Sequence, residues 1–242
     1  MNATKTAKWV EITQKISIPE PPSSKNLIYE DGIPMETDWH RAAMNLLIEI
    51  IAYFWRHRKD FYVGGNMFVY FDPDQIKKRN FRGPDFFVVN GVADSSRWRD
   101  AWVLWEEDGL APSIVIELTS SSTEADDKGP KKEIYEQILR VPEYFCYNPQ
   151  TTELVGWRLQ AGDYVKLQPD EQGRLWSEEL ELSLGPWQGE YLSRPNRWLR
   201  FFDDEGNLIL TEAEAAAEAH RAAEAEIERL KAKLKELGQG ED

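Results

Sequence analysis

From Asp38 to about Lys59 the apolar residues Ala43, Leu46, Leu47, Ile50, Ile51 and Phe54 recur at steps of three and four. That is the spacing of one buried helical face, and Thr37 or Asp38 is placed to cap its first turn. Phe61 to Phe71, rich in Val, Tyr and Phe, reads as a strand closed by the turn Asp72-Pro73-Asp74. Pro84–Val89 is a second strand, apolar enough for burial on both faces, and Ser113–Leu118 a third. Pro130 suits the first turn of a helix running to about Leu139, where its missing N–H costs nothing. Glu143–Tyr147 is a fourth strand, stopped by Asn148-Pro149. Shorter and later strands are predicted at Glu153–Leu159, Tyr164–Leu167 and Leu180–Leu184, with a last turn at Gly206-Asn207. The order helix, three strands, helix, strand predicts a mixed α/β core around one sheet.

Two flanking segments differ from this body. Residues 1–37 hold Pro19, Pro21, Pro22 and a Ser-Ser pair and read as an irregular arm before a body at 38–210. Residues 211–242 are rich in Ala, Glu, Lys and Arg and read as a helical tail to about Leu237. In that tail Ala213, Ala216, His220, Ala223, Ile227, Leu230, Leu234 and Leu237 alternate steps of three and four, a heptad seam with the first of each pair at a and the second at d. Ile227 at a with Leu230 at d favours two parallel strands, and Glu226 at g would face Lys231 at e of the partner. A coiled-coil-like homodimer is therefore expected. The alternative is one helix folded back on the body through Leu230, Leu234 and Leu237.

Composition narrows the class. The chain has 242 residues with 10 Trp, 9 Tyr and 10 Phe, enough apolar mass for a sizeable core. One cysteine, Cys146, excludes an intramolecular disulfide and a Cys-rich zinc cluster and suits a reducing cytosol. The apolar run from Asn45 to Trp55 is too short to span a bilayer, and no signal-peptide stretch opens the chain, so a cytoplasmic location is expected. The formal charge of −14 argues against non-specific coating of nucleic acid. Bases nevertheless cluster at Arg56-His57-Arg58-Lys59, at Lys77-Lys78-Arg79 with Arg82, at Lys128 with Lys131-Lys132, and at Arg194, Arg197 and Arg200. Such runs are mostly solvated loops and helix ends, and they also leave room for a local basic groove.

Two carboxylates break apolar strands. Asp85 opens Phe-Phe-Val-Val and Glu117 sits near the end of Ile114-Val-Ile-Glu-Leu118. A lone acid at a strand end is ordinarily solvated or paired with a base. Two on neighbouring core strands repel and raise each other's pKa unless a cation lies between them. A hard divalent ion such as Mg²⁺ resolves that conflict. Lys131 falls in the first turn of the predicted helix, where free N–H groups favour an anion, and its ammonium adds a point charge for phosphate. A plain surface lysine is the bland alternative. Glu49, on the flank of the first helix, is a candidate third carboxylate. His40, His57 and His220 lack metal-ligand spacing, which speaks against a His-based zinc site. Ser120–Thr123 lacks the Gly-x-Ser-x-Gly surroundings of a nucleophilic serine and reads as a capping or phosphate-contacting turn.

The ordered set Pro84-Asp85, Glu117-Leu118-Thr119-Ser120, Ser122-Thr123, Asp127, Lys131, Tyr135, Val141, Glu143-Tyr144-Phe145 and Asn148-Pro149 resembles the Uma-type restriction endonucleases of the PD-(D/E)XK nuclease superfamily. The likeness runs from about Tyr29 to Pro149 and less distinctly to Asp203. It implies a restriction-endonuclease-like mixed sheet flanked by helices, and cleavage of DNA phosphodiesters that depends on Mg²⁺ or Mn²⁺. Asp85 would match the metal-binding aspartate, Glu117 the second carboxylate, and the Leu118 carbonyl a further ligand. The superfamily lysine falls at Thr119, and Lys131 matches the helix lysine that substitutes for it in related sequences. Ser121 and Asn148 also depart from the family's proline and aspartate.

Three function classes stay open at this point: a metal-dependent DNA endonuclease; a catalytically silent nuclease fold that binds nucleic acid or acts as a scaffold through its tail; and a sugar- or nucleotide-hydrolysing enzyme using Asp85 and Glu117 as an acid/base pair. The acid pair favours the first, Thr119 and the −14 charge favour the second, and no pocket motif supports the third.

Overall fold

The structure is a computed structural model that describes Ser23, residues 37–73 and residues 81–238. The arm before Thr37, apart from Ser23, and the cluster Lys77-Lys78-Arg79 lie outside the described residues, as does the Leu237 side chain.

Helix α1 (Asp38–Phe54) starts where the Thr37 side chain accepts the His40 N–H at 3.1 Å, satisfying one of the free donors of the first turn. Its face of Ala42, Ala43, Met44, Leu46, Leu47, Ile50 and Ile51 is buried. The helix stops at Phe54 rather than near Lys59. Trp55 turns out of it, and the Arg58 guanidinium folds back over the Trp55 ring at 4.0 Å.

The expected strand Phe61–Phe71 is two strands in two sheets. β1 (Phe61–Gly64) ends at Gly64-Gly65-Asn66, where Asn66 takes a left-handed φ of 47°, and β2 (Val69–Tyr70) starts anew. β2 pairs with β3 (Phe81–Arg82) and, in parallel, with β5 (Trp102–Val103), a small sheet absent from the sequence expectation. The main sheet has the order β1, β4 (Phe86–Asn90), β6 (Ile114–Leu118), β7 (Glu143–Asn148), β8 (Glu153–Gln160) and β9 (Asp163–Lys166). β6 and β7 run parallel and the other neighbours antiparallel. As expected of strands buried on both faces, Phe86 to Val89 and all of β6 are closed to solvent.

Each face of this sheet has its own cover. α1 and a second antiparallel sheet, β10 (Leu175–Ser177), β11 (Leu182–Tyr191) and β12 (Arg194–Phe202), pack on Phe86, Val88, Ile114 and Ile116. On the other face Phe87, Val89 and Val115 meet Val69, Trp102, Tyr135, Leu139 and Tyr144. The predicted helix from Pro130 is a broken one. It consists of α2 (Glu124–Asp126), a wide turn at Asp127–Lys131 and α3 (Lys132–Gln137), with non-helical backbone at Gly129 (φ −119°, ψ −107°). The proline after Gly129 disfavours helical backbone there, so Pro130 lies in the wide turn two residues before α3, which ends at Gln137 rather than near Leu139.

α4 (Glu212–Gly238) begins with a reciprocal cap. Thr211 Oγ1 accepts the Glu214 N–H at 3.1 Å, and Glu214 Oε2 accepts the Thr211 N–H at 2.8 Å. The fully buried Arg200 grips the Glu214 carboxylate through two nitrogens, at 2.9 and 2.6 Å. Beyond this anchor the helix does not fold back on the body: Ile227, Leu230 and Leu234 are 51%, 47% and 70% exposed. Among the described residues no helix is long and apolar enough to cross a membrane.

Candidate active site

Antiparallel pairing sets Phe86 opposite Ile116, so one further step brings Asp85 and Glu117 face to face at the ends of neighbouring strands. Asp85 is held from three directions. Its Oδ2 accepts the Leu118 backbone N–H at 2.7 Å, and its Oδ1 lies 2.7 Å from His40 Nε2 at the start of α1. Behind it, Asn66 donates to the Pro84 carbonyl at 2.9 Å, and a Cβ on Gly65 would stand 2.3 Å from the Asp85 carbonyl oxygen. Glycine is thus required at position 65 for close approach of two backbones.

Glu117 is completely buried, on the α3 side of the sheet. Tyr135 donates its hydroxyl to Oε1 at 3.2 Å, and Lys131 Nζ is 3.4 Å from Oε2. The same ammonium lies 2.7 Å from the buried Asp127 Oδ1, an ion pair without the alignment of a hydrogen bond. Burial, above all, holds the Glu117 carboxyl well above the usual glutamate range; Lys131 opposes this, and the like charges of Asp85 and Asp127 reinforce it. Burial likewise raises Asp127 against the pull of Lys131. The Lys131 amine is raised because the three acids outweigh its own desolvation. The wide turn at Asp127–Lys131 makes this geometry, since it offsets the lysine from the regular helix and aims it back at β6.

The structure therefore brings Asp85, Glu117 and Lys131 together and adds His40, Asp127 and Tyr135. Leu118 contributes its N–H, to Asp85. Lys128 leaves toward Glu124 and Glu153, and Lys132 toward Glu136. Glu49 is placed elsewhere: its Oε2 accepts from the Tyr191 hydroxyl at 3.1 Å, nine residues or about 13 Å along α1 from His40. Thr119 is buried on the same face as Glu117, its Oγ1 without a hydrogen-bond partner. Ser120–Thr123 forms a self-bonded turn, with Ser120 N–H donating to Thr123 Oγ1 at 3.0 Å. Sequence reasoning missed His40, because its partner is 45 residues away and no local spacing announces it. It also missed Gly65, whose only signal is the break in the strand pattern.

Among the described residues no group of three or more His, Cys, Asp or Glu side chains is arranged to hold a metal ion. The available donors are the two facing carboxylates and a backbone carbonyl at Leu118. They suit a hard cation such as Mg²⁺, which takes one or two protein carboxylates and fills the rest of its shell with water and phosphate oxygens. Three acids against one lysine leave an excess of negative charge at the site. The residues present fit such an ion.

Comparison with known families places the chain in a class. A family model described as "putative restriction endonuclease" matches residues 21–194. The chain belongs to that family, Uma2. Among solved structures it is similar to one described as a putative nuclease belonging to DUF820, from Anabaena variabilis ATCC 29413. The identity is 14%, over 65% of this chain and 85% of that one, with a TM-score of 0.47. No curated protein matches the chain.

Proposed function

We propose that the protein is a divalent-metal-dependent endonuclease that hydrolyses phosphodiester bonds of DNA at the Asp85–Glu117 site. One observation carries this reading. Two carboxylates meet at the ends of adjacent core strands, and among the described residues Lys131 is the lysine that pairs with Glu117 and Asp127. Asp85, Glu117 and the Leu118 carbonyl would hold a Mg²⁺ or Mn²⁺ ion. Such an ion supplies Lewis acidity to a phosphoryl oxygen and lowers the pKa of a water. His40 and the Leu118 N–H fix the rotamer of Asp85, and Tyr135 fixes that of Glu117. Lys131 takes the place of the lysine missing at Thr119: it orients the attacking water and offsets charge that develops on the phosphate. The exposed seam of Ile227, Leu230 and Leu234 supports pairing of α4 with a second copy, which makes the enzyme a homodimer.

Thr119 and the −14 charge favour a second reading, a silent nuclease fold that acts as a nucleic-acid-binding or scaffold module. Incubation with supercoiled plasmid separates the two. The endonuclease reading predicts nicked and linear product in Mg²⁺ or Mn²⁺ and intact plasmid in EDTA. Intact plasmid in both, with a melting temperature still raised by Mn²⁺, establishes the silent fold.

A further inference from the structure

The three lysines of the α2–α3 segment are committed to carboxylates. Lys131 serves Asp127 and Glu117, Lys128 bridges Glu124 and Glu153, and Lys132 reaches Glu136 while lying over the Trp157 and Tyr164 rings. Arg82 is different. It precedes Asp85 by three residues, on β3, and no carboxylate among the described residues pairs with it. Its Nη1 donates to the Phe81 carbonyl at 2.7 Å, while Nε is closed off from water with no hydrogen-bond partner. The backbone beneath it is fixed: Phe81 and Arg82 pair with Tyr70 and Val69, and the Phe81 ring packs on Phe68 at 4.0 Å between centroids. Its partner across the strands, Val69, packs in the same buried cluster as Tyr135, the donor to Glu117.

We infer that Arg82 binds the phosphodiester to be cut, its Nη2, unpaired among the described residues, taking a non-bridging phosphate oxygen near Asp85 and Glu117. The inference rests on the proposed endonuclease function and names the group that receives the substrate. A phosphate anion approaching three acids needs a cation that those acids have not already taken. Lys131 is neutralised from two sides; Arg82 is not. A guanidinium is always charged, and it offers paired donors in a plane, the geometry that matches phosphate oxygens. The bond from Nη1 to Phe81 turns that plane, Nε is sealed inside, and Nη2 is left for the ligand.

The test compares Arg82→Ala, Arg82→Gln, Arg82→Lys and Asp85→Asn with wild type on a labelled duplex in Mn²⁺, together with the Mn²⁺-induced rise in melting temperature. Arg82→Ala is expected to lower kcat about 100-fold while leaving the Mn²⁺-induced rise unchanged. Arg82→Lys should recover part of the loss, and Arg82→Gln, which keeps the stem but not the charge, should not. If Arg82→Ala does not fold, equal rates for the Lys and Gln variants overturn the inference. Arg82→Ala cleaving within about threefold of wild type while Asp85→Asn is inactive overturns it too, and leaves the proposed function standing. Loss of the Mn²⁺ response in Arg82→Ala would make Arg82 a support for the acids rather than a substrate contact. Full activity of Asp85→Asn would overturn the acid-pair site itself.

Discussion

Lys131→Met removes the one ammonium that, among the described residues, pairs with Glu117 and Asp127, while keeping a side chain of similar length. In the native protein Nζ stands 2.7 Å from Asp127 Oδ1 and 3.4 Å from Glu117 Oε2. At an effective dielectric of about 20, those separations correspond to about 6 and about 5 kcal/mol of gross attraction. Desolvation of the charges offsets much of this, and removing one partner from a buried pair costs about 3–5 kcal/mol net. At about 2–4 °C per kcal/mol for a domain of this size, the melting temperature in EDTA should fall by about 6–20 °C. Lys128→Met is the control. Its partners Glu124 and Glu153 are 34% and 48% exposed, so its loss should cost about 1 kcal/mol or less. Thermal unfolding followed by circular dichroism reads both. A Lys131→Met protein melting within about 2 °C of wild type, or no lower than Lys128→Met, would refute the role of Lys131 as the counter-charge of this cluster. Cleavage by Lys131→Met should drop about 100-fold, the scale of losing one preorganised charge.

Gly65→Ala must push against the Asp85 carbonyl, 2.3 Å from the new methyl, and against Met44 Cγ at 2.8 Å. Misplacing Asp85 should cost about 100-fold in cleavage with the circular dichroism spectrum retained, and wild-type activity would show that the backbone yields without moving the acid. Burial raises the Glu214 carboxyl, but bonds from Arg200 and Thr211 outweigh this and leave its pKa below the usual glutamate range. Its contribution to stability is therefore present above that range and lost as pH falls from it through the lowered pKa of the folded state. Glu214→Gln should flatten the acid limb of a stability-versus-pH curve, and an unchanged limb would contradict the anchor. Truncation after Leu210 should turn a sedimenting dimer into a monomer, and identical species for both chains would remove α4 as the pairing element.

The acids were legible in the sequence because a charged residue in an otherwise apolar strand is a local anomaly. Asp85 before Phe-Phe-Val-Val and Glu117 within Ile-Val-Ile-Glu-Leu need no tertiary knowledge to stand out. Helix α1 was legible for a similar reason, since its buried face repeats with one period, whereas its end was set by Trp55 and Arg58 folding on each other. The long β11–β12 hairpin was not legible. Gly185, Pro186, Gly189 and Pro195 disrupt a strand pattern, and its turn residues Leu192 and Ser193 adopt left-handed φ of 52° and 58° without the Asn-Gly signal such turns favour. The kink at Gly129 and the partnership of His40 with Asp85 depend on three-dimensional neighbours, and single-residue patterns do not carry them.

The central claim, that Asp85 and Glu117 form a hydrolytic centre, is tested most directly by nicking of supercoiled plasmid in saturating Mn²⁺ by wild type, Asp85→Asn and Glu117→Gln. All three proteins should share the wild-type circular dichroism spectrum. The account predicts that wild type nicks the plasmid and that neither variant does, because each loses one of the two carboxylates that hold the ion. Undiminished nicking by either folded variant would contradict it.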